Sequence, residues 1–157
     1  MGRARAPGFT LIELLVVMVI IGVTLGLVSL NALPSQQQSL QKEAQRIALL
    51  LQLARDEAIV RNRLVAFEAD SDNYRFLVRN DTRWERVVND DLLRERAFKS
   101  APVRLMLEPP ASAMDGAGAL RITFGREPVD KPFVLTLAAG QTEVAIRADG
   151  VGHFQVD

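Results

Sequence analysis

The sequence predicts an α+β fold: a long N-terminal helix, membrane-spanning in its first half, packed on a head of one antiparallel β-sheet or two. Three observations carry this. Residues 9–33 are almost entirely apolar. From Leu40 the apolar residues step by three and four, as one face of a helix requires. After Arg63 the period changes to two, in short runs separated by turn residues. One helix followed by about seven short strands buries its apolar stripe most simply against a sheet face.

The first eight residues are short and basic, with Arg3 and Arg5. As a helix, residues 9–33 span about 37 Å at 1.5 Å per residue, enough for a hydrocarbon core about 30 Å thick. The basic leader places the N-terminus in the cytoplasm and the C-terminal part across the membrane. A secretory signal peptide has a shorter apolar stretch followed by an A-x-A-like site. Here the exit reads Ser29-Leu30-Asn31-Ala32-Leu33-Pro34. Glu13 is the anomaly. An ionised carboxylate in a membrane-length segment costs about 2.5–3.5 kcal/mol even on lenient scales, so it marks a functional site and needs a partner. Gly22 and Gly26 make a small-xxx-small pair that suits close helix packing, although each glycine also weakens a helix by roughly 1 kcal/mol.

The run Arg5-Ala6-Pro7-Gly8-Phe9-Thr10-Leu11-Ile12-Glu13 resembles the type IV prepilin signature shared by pilins and the pseudopilins of type II secretion. The resemblance implies cleavage between Gly8 and Phe9 by prepilin peptidase and methylation of the new Phe9 amine. It divides the chain into a leader (1–8), a transmembrane and filament-core helix (9–33) and a pilin-like periplasmic head (34–157). Cleavage before the apolar segment keeps that segment in the mature protein and creates an amine. In a filament, the Glu13 carboxylate of one subunit would pair with the Phe9 amine of its neighbour. A subunit without the partner would leave a charge unpaired in an apolar bundle, a loss of several kcal/mol. Many major subunits carry a kinking proline where this chain has Leu30, which points away from a major-subunit role.

Pro34-Ser35-Gln36-Gln37-Gln38-Ser39 is a polar break, either a loop or a hydrophilic stretch of one continuous helix. The amphipathic helix is expected over about 36–61, with Leu40, Ala44, Ile47, Leu51, Ala54 and Ala58 on one face. Leu49, Leu50 and Leu53 widen the stripe. Lys42, Glu43, Gln45, Arg46, Gln52, Arg55 and Asp56 fall largely on the other side. Asn62 is the expected C-terminal cap. Strands are expected at 64–69 and 74–79 around the turn Asp70-Ser71-Asp72-Asn73, then at 84–88, 103–108, 120–124, 133–137, 143–147 and 152–156. Residues 109–118 read as a loop, and Asp90–Arg96 as a solvated connection.

Residues 48–62, with an alanine-arginine pair and an Arg-Asn exit into a Val-Ala-Phe strand, resemble the H-type minor pseudopilins and the related FimT-type minor pilins. The glycine-bearing stretches 124–128 and 148–152 resemble that group's endings. The resemblance implies a structural subunit near the tip of a periplasmic pseudopilus, and not an enzyme. Its implied partners are prepilin peptidase, the major pseudopilin, other minor pseudopilins and the inner-membrane assembly platform. The alternative it leaves open is a FimT-type minor pilin that binds DNA.

The remaining constellations argue for little chemistry, and neither cofactor nor metal is expected. There is no cysteine and one histidine, His153, and no Gly-x-Ser-x-Gly elbow for a triad. An EF-hand loop started at Asp70 would place Arg75 where glycine is required. For DNA, Arg75, Arg79, Arg83 and Arg86 lie close in sequence and Trp84 offers a stacking surface. However, the chain balances 19 basic against 19 acidic residues, and loss of Arg3 and Arg5 would leave acid in excess. That balance argues against nucleic acid.

Overall fold

The computed structural model describes residues 10–30, 35–88, 90–110 and 119–157, with the side chains of the first helix described to Thr24. Two compact units are separated, 1–34 and 35–157. The first contains α1 (Leu11–Leu30).

The second unit begins with α2 (Gln36–Val60). Ser35 caps this helix anew: its backbone is extended and its hydroxyl accepts from the Gln38 N–H at 3.2 Å. Of the two readings of the polar break, the cap shows a helix start at this point. At the other end, Asn62 adopts φ 52°. The Arg63 N–H donates to the Ala58 carbonyl at 3.0 Å and the Asn62 N–H to that of Ile59 at 3.2 Å. This is a Schellman cap, with asparagine at the left-handed position.

Nine strands follow among the described residues, against the eight ranges expected. Sheet A contains β1 (Val65–Ala69), β2 (Asn73–Asn80), β3 (Arg83–Arg86), the two-residue β4 (Arg96–Ala97) and β6 (Leu120–Phe124). Its order is β3-β2-β1-β6, with β4 also on β2. Sheet B contains β5 (Arg104–Glu108), β7 (Phe133–Ala139), β8 (Thr142–Ala148) and β9 (Phe154–Val156), in the order β5-β7-β8-β9. Every pairing is antiparallel. The strand β4 lies at the end of the expected solvated connection. It is too short for a periodicity to reveal, and it exists because Asn73 and Tyr74 pair with Ala97 and Arg96.

The helix α2 touches both sheets, meeting β1 and β6 of one and β7, β8 and β9 of the other. Leu40, Ala44, Ile47, Leu51, Ala54 and Ala58 are all fully buried. Each large aliphatic side chain among them contributes about 1.5–3 kcal/mol by leaving water, and the alanines let the sheets approach. Val65, Phe67, Phe76, Phe124, Leu135 and Ile146 complete the core. The stripe is narrower than its sequence suggests. Leu50 is buried and Leu53 packs at the margin, but Leu49 is 69% exposed. One position on the expected polar side is also wrong: Glu43 is only 3% exposed. It lies one turn from Leu40 and Ile47, so its side chain enters the packed face.

Candidate functional site

In the first unit, Glu13 occupies the first turn of α1. Its N–H donates to the Thr10 carbonyl at 3.1 Å and to the Thr10 hydroxyl at 3.4 Å. Thr10-x-x-Glu13 is thus a capping-box sequence, and the carboxylate sits where the helix dipole favours negative charge. Glu13 has a local, helix-starting role as well as any role between subunits. The described apolar side chains of α1 are exposed all round, Leu11 at 82% and Met18 at 73%. A helix apolar on every side is one built for burial. Thr24 fits that purpose: its hydroxyl donates to the carbonyls of Ile20 at 2.8 Å and Ile21 at 3.0 Å, so it is satisfied without water. A Cβ on Gly22 would meet nothing within 4 Å, leaving that face open for a neighbour. Gly26 lies on the same helix, but its surroundings, like Gly8 and Phe9 altogether, are outside the described residues. Among the described residues no helix is long and apolar enough to cross a membrane.

On sheet A, strand pairing sets Arg121, Glu68 and Arg75 side by side across β6, β1 and β2. Glu68 is 5% exposed. One of its oxygens accepts from Arg75 (Nε, 2.7 Å) and the other from Arg121 (Nε, 3.0 Å), with a second contact from each guanidinium. Burial alone would raise its pKa. The hydrogen bonds from Arg121 and Arg75 outweigh that and hold the carboxyl below its ordinary range. Arg75 continues to Glu95 at 3.7 Å, and Glu95 to Arg86 at 3.4 Å. Trp84 lies near the guanidinium groups of Arg79 (5.8 Å from the ring centroid) and Arg121 (5.5 Å). Of the groups that the sequence offers to DNA, Arg75, Arg86 and Trp84 are therefore engaged with the protein itself.

At the packed end of α2, the Tyr74 hydroxyl donates to Glu43 Oε1 at 3.2 Å, with Arg46 at 4.0 Å from the same oxygen. Burial, reinforced by the Glu43 charge, pushes the phenol up to about 12. Further along α2, the Arg55 guanidinium donates to the Pro128 carbonyl and lies against Gly152, where a Cβ would come within 2.6 Å of it. Gly150 has φ 81°, and a Cβ there would overlap the Asp130 carbonyl. The Asp130 N–H donates to the Gly150 carbonyl at 2.7 Å. Asp149 Oδ1 accepts from the N–H groups of Val151, Gly152 and His153, and Oδ2 meets His153 Nδ1 at 2.6 Å. The backbone donor at His153, opposed by slight desolvation and then aided by the His153 side chain and the Val151 N–H, brings the Asp149 carboxyl down to about 2. The two glycine-bearing stretches are thus locked to each other and to α2 through Arg55. Sequence reasoning marked them by resemblance alone. The positive φ and the approach of Arg55 supply the physical reason.

One helix packed across two antiparallel sheets, following an apolar helix with a capped acidic first turn, defines a pilin-like filament subunit. The family model described as type II transport protein GspH matches residues 43–152, and the prokaryotic N-terminal methylation motif matches residues 3–29. Type II secretion system protein H of Pseudomonas aeruginosa is 35% identical over 85% of this chain and 77% of its own length. The protein of the same description from Aeromonas hydrophila is 30% identical over 99% and 96%. Two structures of the minor pseudopilin EpsH from Vibrio cholerae share the fold. They have TM-scores of 0.56 and 0.60 at 19% and 18% identity, and cover 75% and 78% of this chain and 94% and 95% of theirs. The chain belongs to the GspH family of type II transport proteins.

Proposed function

We propose that this chain, a minor pseudopilin of type II secretion by its family, assembles through a charge pair at Glu13. Prepilin peptidase cuts between Gly8 and Phe9 and methylates the Phe9 amine. The mature helix rests in the inner membrane as a single pass, its N-terminus cytoplasmic and its head periplasmic. The assembly platform then draws it into the pseudopilus, where it sits near the tip beside the major and the other minor pseudopilins. The Glu13 carboxylate meets the Phe9 amine of a neighbour and fixes axial register, while the small-residue pair Gly22 and Gly26, open at Gly22, packs against adjacent helices. The supporting observation is that Glu13 is the one charged side chain in the α1 sequence.

The capping geometry sharpens the test. Glutamine serves the capping box as well as glutamate does, but it carries no charge. Glu13→Gln is therefore expected to keep the helix and lose incorporation into pseudopili, scored by crosslinking and by export of the secreted protein. Normal incorporation of Glu13→Gln alongside failure of Glu13→Ala would show that Glu13 acts only as a cap.

A further inference from the structure

The C-terminal end of α2 carries a surface that the family assignment does not account for. Three segments meet there: the α2 exit at Asn62, the β2–β3 turn at Asp81, and the chain after β6 at Arg126. Two depressions lie side by side on this surface and share Arg63. One, of about 500 Å³, is ringed by Arg63, Arg79 and Arg126, three cations against the single carboxylate of Asp81. The other, of about 290 Å³, has an apolar floor of Val78, Val87 and Leu93; Val78 and Leu93 are buried, and Val88 beside them is 75% exposed.

The charges at this end are unevenly used. Glu57 takes Arg61 on one side and Arg63, at 3.6 Å, on the other. Glu85 accepts from Asn80 at 2.6 Å. The carboxylates on the α2 and β3 sides are therefore occupied. Arg63 is not fully used: its Nε is buried and has no hydrogen-bond partner. Arg126 is exposed. Arg79 reaches only the Asp81 carbonyl, at 3.3 Å, besides the Trp84 ring. Among the described residues neither Arg79 nor Arg126 forms an ion pair. Arg79 and Arg126 line the same hollow with guanidinium donors that no carboxylate occupies, and such donors select a carboxylate, which a guanidinium can grip through two parallel hydrogen bonds.

We propose that this end of the head receives an acidic segment of another pseudopilin head, one carboxylate entering the arginine ring and an adjacent aliphatic side chain covering the exposed Val88 beside Val87. The exposed Val88 distinguishes this partner from a nucleic acid, which would leave it uncovered. Glu57, Asp81 and Glu85 at the rim would repel a continuous phosphate backbone, whereas a protein surface brings single carboxylates among neutral groups. The inference rests on the reading that the chain works among other pseudopilins, and it adds the surface and the chemistry of its partner.

The chain contains no cysteine, so single cysteines report unambiguously. In the full-length chain, in cells making the whole secretion system, Thr82→Cys and Glu127→Cys flank the arginine ring. Glu143→Cys on β8 of sheet B is remote from it. After labelling with a maleimide–benzophenone, whose photoreactive end inserts into C–H bonds of whatever lies beside it, both ring positions are expected to link to another pseudopilin close to one of its acidic residues. Adding Arg126→Glu should lower that yield about tenfold, the scale of one lost charge pair. Arg126 is exposed, so the variant should keep the wild-type thermal midpoint. Links to pseudopilins from Glu143→Cys alone would overturn the inference and leave the proposed function standing. Links from none of the three positions would likewise overturn the inference, while the proposed function stands or falls on Glu13→Gln. Salt-sensitive DNA retention by the wild-type chain that Arg126→Glu abolishes, without a change in crosslinking, would assign the surface to nucleic acid and overturn the inference.

Discussion

Replacing Glu68 by glutamine tests the energetics of sheet A most directly. The change keeps shape and one carbonyl acceptor but removes the charge shared by Arg75 and Arg121. Breaking a fully buried ion pair by deleting one partner costs about 3–5 kcal/mol, mainly because a charge is left uncompensated. Here the arginines retain some solvent, at 24% and 14% side-chain exposure, and Arg75 keeps Glu95. The expected cost is therefore about 2–3 kcal/mol, or a fall in thermal midpoint of roughly 6–15 °C for a domain of this size. Urea unfolding of the 35–157 unit, which contains the described core, measures it. The pH dependence gives a second check. Because the folded-state pKa of Glu68 lies below the ordinary 4.5, its stabilisation is fully present above that value and is lost as pH falls through the lower folded one. The gap between wild type and Glu68→Gln should therefore narrow in acid. A cost under about 0.5 kcal/mol at neutral pH, or a gap independent of pH, would refute the reasoning.

Three further substitutions probe the rest of the head. Gly150→Ala must place a side chain at φ 81° against the Asp130 carbonyl and should lose about 2–4 kcal/mol in denaturant titration; Gly125→Ala, whose Cβ would meet nothing closer than 3.9 Å, should be near neutral. Tyr74→Phe takes the donor from Glu43, whose Oε2 already has no partner, and should cost about 1–3 kcal/mol. Since the folded phenol titrates near 12 and the unfolded one near 10.0, wild-type stability should decline as pH rises from 10 to 12, a component that Tyr74→Phe lacks. Asn62→Val forces a β-branched residue into the left-handed cap and should destabilise by about 1–3 kcal/mol by calorimetry, while Asn62→Gly should be neutral or slightly stabilising.

The parts of the fold legible in the sequence are those governed by near neighbours. The α2 stripe repeats every three or four residues, and its six central positions Leu40, Ala44, Ile47, Leu51, Ala54 and Ala58 are legible, as are the Asn62 exit and the strand Leu120–Phe124. The prepilin-like run around Glu13 is a contiguous pattern as well. Glu43 was misplaced because a helical pattern sorts side chains by angle, and a polar residue at the edge of a stripe is assigned to water. A tyrosine donor 31 residues away, with Arg46 at the same oxygen, makes its burial tolerable. The division of the strands into two sheets was likewise open, since each strand shows the same period whichever sheet it joins.

The sequence by itself determined that an apolar helix with a single carboxylate precedes an α+β head, because both depend on spacing along the chain. The tertiary structure alone decided which charges the head spends on itself. Glu68 meets Arg121 across 53 residues and Arg55 meets Pro128 across 73. The same register gives Glu68 to Arg75 as well and brings Arg121 over the Trp84 ring, which removes Arg75 and Trp84 from the list of free binding groups and leaves the arginine ring at the end of α2 open. Pairing at such separations is fixed by strand register and packing, and no local pattern in the chain encodes it.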